Sequence, residues 1–166
     1  ATLACPDWEV RLTSGRSLIP DLPLDRARGD RAVAVFNKLR LPDVVGQPTL
    51  AEAAGDWQRD SVAALFGGFE PDSDQRFIRE ILELVPKKNS KTTKGAGIMM
   101  TALILNQRPR AEFLLIGPTQ AVSDTAFSQA VGMILADPYL ERRFHIREHL
   151  KEIRDRTNGA KLKIKT

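Results

Sequence analysis

Apolar positions fall into regular periods from Asp56 onward. Trp57, Val62, Leu65 and Phe66 recur at helical spacing until Gly67–Gly68 interrupts them. After the turn-rich stretch Glu70–Asp74, the chain from Phe77 to Val85 runs into Pro86. Ile81–Val85 reads as the end of a buried strand, although a helix beginning near Asp74 accounts for the same apolar content. Thr92–Asn106 predicts a helix packed through Ile98, Met99, Ala102, Leu103 and Leu105, which Pro109 closes. Glu112–Ile116 predicts a short strand ending at Gly117–Pro118. A second helix is predicted over Ser123–Leu135, with Ala126, Phe127, Ala130, Val131, Ile134 and Leu135 inward and Asp137–Pro138 as its stop. Strand, loop, helix, strand, loop, helix is the order of a parallel α/β sheet. In the tail, Leu150–Arg154 and Ala160–Lys165 predict strands joined through Asn158–Gly159, a hairpin signal.

Residues 1–55 differ. Pro6, Gly15, Pro20, Pro23, Gly29, Pro42, Gly46 and Pro48 break every longer pattern, leaving one short helix over Asp30–Leu39. The chain therefore divides into an irregular N-terminal arm, 1–55, and an α/β region, 56–166. The apolar share of 42% suits a packed core and the charged share of 28% a solvated surface. No run is long and apolar enough for a membrane span, and no secretory leader is evident. Cys5 is the single cysteine, which excludes an internal disulfide framework. His145 and His149, four apart, fit one helical face but lack a zinc-protease pattern. The formal charge of +4 mildly favours a polyanionic partner. Basic residues gather between Arg142 and Lys165, where a solvated face and direct DNA contact are both open readings.

The chemistry concentrates at Pro86-Lys87-Lys88-Asn89-Ser90-Lys91-Thr92-Thr93, between the expected strand and helix. Phosphates need positive potential and converging N–H donors, and a helix N-terminus supplies both. A lysine just before the helix reaches terminal phosphates, and a following hydroxyl ligates magnesium. Lys91 and Thr92 have that order. The usual P-loop glycines are replaced by Val85 and Ser90. Glycine permits positive φ and leaves room for phosphate, so these replacements favour a charged surface turn as the competing reading. Gly95 and Gly97 each weaken a helix start by about 1 kcal/mol relative to Ala, which points to close approach of either phosphate or a packing partner.

From Asp56 onward the chain resembles the ATPase domain of tailed-bacteriophage terminase large subunits, in the branch with a Pro-Arg/Lys-Lys-Asn-Gly-Lys-Ser/Thr loop. Pro86, Lys88, Asn89, Lys91 and Thr92 match, and Ser90 departs from the usual glycine. Trp57-Gln58-Arg59-Asp60 resembles the adenine-side glutamine motif, and Gly117-Pro118-Thr119-Gln120 the segment linking nucleotide and DNA-responsive elements. Cys5-Pro6-Asp7-Trp8-Glu9 resembles the lead-in of some members. The resemblance implies a partial P-loop NTPase sheet with flanking helices, bound to ATP and Mg²⁺. Gln58 would bond the adenine edge, with Trp57 stacking or packing beside it. Lys91 would hold the β and γ phosphates, Thr92 the metal, and Pro86, Asn89, Ser90 and Thr93 would complete the loop. Lys87 or Lys88 would stand where members often have a cis-acting arginine.

The implied parent is a DNA-packaging motor that moves double-stranded DNA as a homo-oligomeric ring, with portal and small terminase subunit as partners. It would act at the procapsid in the host cytoplasm. Terminases normally supply an Asp-Glu pair after four apolar residues on a later strand. No such segment occurs before Thr166, which predicts an incomplete ATPase region with apolar surface left open at a sheet edge. The alternatives are another P-loop ATPase of helicase type, or a non-hydrolysing nucleic-acid-binding or assembly module.

Overall fold

The computed structural model describes residues 5–19, 21, 23–70 and 72–166, so Pro20 and Pro71, among the expected turn residues, lie outside the described residues. Two compact units form: Ala1–Ala34 with Ala54–Leu84, and Val35–Ala53 with Val85–Thr166. The stretch read as an irregular arm carries more helix than its turn signals predict: α1 (Trp8–Thr13), α2 (Arg26–Lys38) and α3 (Leu50–Ala53).

In the first unit, α4 (Asp56–Gly67) follows the expected apolar stripe and ends at the two glycines, with Gly68 as its C-cap. Gly29 and Gly67 permit close contact between the start of α2 and α4. A β-carbon at Gly67 would lie 2.7 Å from the Asp25 carbonyl, and one at Gly29 3.1 Å from that of Ala63. The Asp25 amide donates to the Gly67 carbonyl at 2.8 Å. The Phe69 ring is flanked by Arg28 and Arg76, at 4.1 and 4.6 Å from its centroid.

One expectation fails here. Ile81–Val85 is not a strand, and no helix runs from Asp74: this segment has no regular structure, and Leu82 and Leu84 are 85% and 88% exposed. Apolar content identifies a segment suited to burial, but a strand also needs a neighbour for its backbone groups. None pairs with it among the described residues.

The second unit holds α5 (Lys91–Leu105), β1 (Glu112–Ile116), α6 (Gln120–Leu135), α7 (Pro138–Arg143), β2 (Phe144–Arg147), a 3₁₀ turn at Glu148–Leu150, β3 (Glu152–Asp155) and β4 (Lys161–Lys165). The α/β class with flanking helices is as expected. The sheet is mixed, in the order β1-β4-β3-β2. β1 and β4 are parallel, and the other neighbours are antiparallel. Met100, Leu103, Ala130, Ile134, Ile153 and Leu162, from α5, α6 and the sheet, are fully buried. Each larger aliphatic side chain contributes about 1.5–3 kcal/mol by leaving water. Gly97 is explained by packing, since a β-carbon there would meet Phe36 at 3.0 Å and Leu50 at 3.3 Å.

Asp137–Pro138 does stop α6, but it also starts α7. The Asp137 carboxylate accepts from the amides of Tyr139 and Leu140, and Pro138 occupies the first turn. The β3–β4 hairpin is present, with Gly159 at φ +72° and the Asp155 amide bonded to the Ala160 carbonyl at 2.8 Å. Its turn spans 156–159, longer than the two-residue connection expected. Behind it, Asp155 is fully buried and takes the Arg143 guanidinium at 2.7 Å, while its other oxygen accepts from Thr157. Arg143 also bonds the Ile104 carbonyl at 2.9 Å, tying this turn to the end of α5.

Among the described residues β1 pairs on one side only, with β4, and its Leu114 and Ile116 are 52% and 65% exposed. His145 lies in β2 and His149 in the 3₁₀ turn, so they share no helical face. Among the described residues, no group of three or more His, Cys, Asp or Glu converges on a common point, and no helix is long and apolar enough to cross a membrane.

Candidate functional site

The loop before α5 is shaped by its own backbone. Lys88 and Ser90 have positive φ, +67° and +52°, whereas Val85 does not. The left-handed conformation thus falls on the second of the two positions where a P-loop has glycine, and serine occupies it there. Asn89 braces the turn, its amide donating to the carbonyls of Pro86 at 3.2 Å and Lys87 at 3.4 Å. Lys91 is the first residue of α5 and its ammonium folds back, donating to the carbonyls of Val85 at 3.0 Å and Pro86 at 2.7 Å. One lysine therefore closes residues 85–91 into a ring.

Ser90 is the N-cap of α5, and its side chain makes no capping bond. The first helical amide with a backbone acceptor is that of Lys94, which donates to the Ser90 carbonyl at 2.8 Å. The amides of Lys91, Thr92 and Thr93 therefore have no acceptor among the described residues. The Thr92 and Thr93 hydroxyls are likewise unbonded to the described residues.

Charge sharpens the picture. The helix N-terminus carries partial positive charge, and acidic side chains normally stabilise it. The first turn of α5 has no acidic residue. It opens on Lys91 instead, with Lys87 and Lys88 just before it, all three exposed. Like charges at the positive end of a 15-residue helix oppose its formation. A bound anion would relieve that repulsion and fill the open amides at once.

The residues assigned to the nucleotide base belong to the first unit, in the first turn of α4. Gln58 is 7% exposed, and its side-chain amide is bonded to none of the described residues. Trp57 is half-buried and packs over its own helix start, since a β-carbon at the N-cap Gly55 would lie 2.8 Å from the indole nitrogen. In the second unit, Thr119 caps α6, accepting from the Val122 amide at 3.4 Å, and Gln120 bonds Asp124 at 2.8 Å. Both therefore have structural roles at the helix start.

The loop fits a phosphate group: open amides, left-handed turns, concentrated ammonium groups and no nearby acid within residues 85–93. For magnesium the same segment offers hydroxyls, Thr92 foremost, and no carboxylate.

The structure is similar to that of the HK97 bacteriophage large terminase, with a TM-score of 0.70 and 21% sequence identity. The match covers 82% of this chain and 27% of that one, so the chain spans about a quarter of that protein's length. No family model and no curated protein matches the chain. The fold resembles that of part of a large terminase, in agreement with the family resemblance read from the sequence.

Proposed function

We propose that this chain is the ATP-binding part of a viral DNA-packaging motor, in which ATP hydrolysis drives double-stranded DNA translocation. The observation that carries the reading is the start of α5. Open amides at Lys91, Thr92 and Thr93 follow a left-handed Ser90, and the Lys91 ammonium lies across the loop mouth, in a chain with a terminase fold.

In this reading the β and γ phosphates of ATP enter the loop and take the amides of α5. Lys91 exchanges its bonds to the Val85 and Pro86 carbonyls for phosphate oxygens. That exchange would link nucleotide entry to loosening of the ring, because the ammonium has three N–H donors for two carbonyls and the β and γ oxygens together. Thr92 would supply a hydroxyl to Mg²⁺, and the sequence resemblance assigns the adenine to Gln58 and Trp57. Lys87 or Lys88 adds charge beside the phosphates, but without the planar fork of an arginine. Bound Mg²⁺ would neutralise charge on the transferred phosphoryl group. Carboxylates completing the metal site, a ring of subunits, and the portal and small terminase subunit belong to the whole motor in the host cytoplasm.

Nucleotide titration of Lys91→Ala tests the assignment. ATP binding should fall at least about tenfold, as expected for a lysine that holds the terminal phosphates. Unchanged affinity would remove Lys91 from the site.

A further inference from the structure

We propose that the outward face of the sheet in the second unit binds the phosphodiester backbone of double-stranded DNA; the choice of DNA among polyanions rests on the motor reading. Side chains alternate across a strand. On β4, Leu162 and Ile164 are buried, which turns Lys161, Lys163 and Lys165 to the opposite face. Register then places Arg154 opposite Lys161 on β3, and Arg147 of β2 opposite Glu152. Arg156 reaches the same face from the hairpin turn, its guanidinium 3.3 Å from His145 Nδ1.

Against these six cations stand Glu112 and Glu152. Glu112 is shared by Lys161 at 2.5 Å and Lys163 at 3.7 Å, and Glu152 by Arg147 at 3.1 Å and Arg154 at 3.5 Å. Six cations against two carboxylates leave a surplus equal to the formal net charge of the whole chain, +4. The face therefore carries a local excess of positive charge.

Geometry favours an extended polyanion over a small one. The lysines of β4 repeat every ~6.6–6.8 Å along a line, and neighbouring strands lie ~4.7–4.9 Å apart. The cations form a flat array instead of converging on a point. DNA presents a charge about every 1.7 Å along its axis, so one molecule can engage several at once. Opposite Lys163 and Lys165, β1 carries the apolar Leu114 and Ile116, which bound the charged surface on that side.

The test uses the full chain and a random-sequence DNA duplex, with affinity measured across a salt series. Replacing Lys161, Lys163 and Lys165 together by Gln should weaken binding by about 10²-fold. The slope of log K against log salt should fall by roughly 0.9 for every phosphate these lysines neutralise. Replacing Arg26, Arg31 and Lys38 of α2 by Gln changes net charge equally and should leave most affinity intact. Glu112→Gln should tighten binding, a gain that misfolding cannot produce.

Equal weakening in the two triple variants, unchanged binding by the sheet variant, or weaker binding by Glu112→Gln would each overturn the proposal. So would tighter binding of poly-glutamate than of DNA, which would assign the face to an acidic protein. Binding of a fluorescent ATP analogue is read in parallel. DNA binding that maps to the sheet in a chain that binds no nucleotide keeps this site and removes the motor reading. Nucleotide binding without a sheet effect does the reverse.

Discussion

Ser90→Gly should make the protein more stable, although it removes a residue type favoured at helix N-caps. Ser90 holds φ +52° and ψ +30°, a conformation that costs a side-chain-bearing residue about 1–2 kcal/mol. Its hydroxyl makes no capping bond to the helix, so glycine forfeits no cap. Glycine does lose about 0.5–1 kcal/mol more backbone entropy on folding. The balance is a gain of roughly 0.5–1 kcal/mol, which at this chain length corresponds to about 1–4 °C in Tm. Ser90→Val provides the opposite sign, because a β-branched residue tolerates this region poorly, and should destabilise by about 1 kcal/mol or more. Urea unfolding of the two variants beside the parent reads both effects. A destabilising glycine together with a neutral valine would show that Ser90 is not strained and that its side chain contributes something the geometry does not reveal.

Other consequences concern the framework. Asp155→Ala leaves Arg143 without its buried partner and should cost about 3–5 kcal/mol by urea unfolding, with a coupling to Arg143→Ala in a double-mutant cycle. Burial opposes ionisation of Asp155, but the Arg143 guanidinium and the Thr157 hydroxyl and amide outweigh it and hold its pKa below the ordinary value. Its contribution to stability is therefore complete above the unfolded-state pKa of about 3.9. It is lost as pH falls through the lower folded value, and acid titration of Asp155→Asn should lack that loss. At Gly132 an added β-carbon would collide with the Pro42 ring, so Gly132→Ala should destabilise by about 1–3 kcal/mol in the same unfolding assay.

Most of the second unit was legible because its elements are local. α5, β1 and α6 each carry an apolar period with a turn residue at the end, and the hairpin carries Asn158–Gly159. Failures came where one signal served two purposes. Asp137–Pro138 ends one helix and caps the next, so α7 was hidden behind a stop. Phe144 and Ile146 alternate with His145 and Arg147 in the period of β2, while the four-residue spacing of the two histidines pointed to a helix. Ile81–Val85 has the composition of a buried strand, but composition cannot supply the neighbouring edge. At the loop, residue types carried the expectation of phosphate chemistry. The left-handed turn at Ser90, the folded-back Lys91 and the buried Lys94 depend on backbone path and packing.

The most direct measurement is a crystal structure of the chain with an ATP analogue and Mg²⁺. A phosphate group should lie within hydrogen-bond distance of the Lys91, Thr92 and Thr93 amides, with the Lys91 ammonium moved from the Val85 and Pro86 carbonyls to phosphate oxygens. Nucleotide bound elsewhere, with Lys91 still closing its ring, would contradict the assignment of this loop.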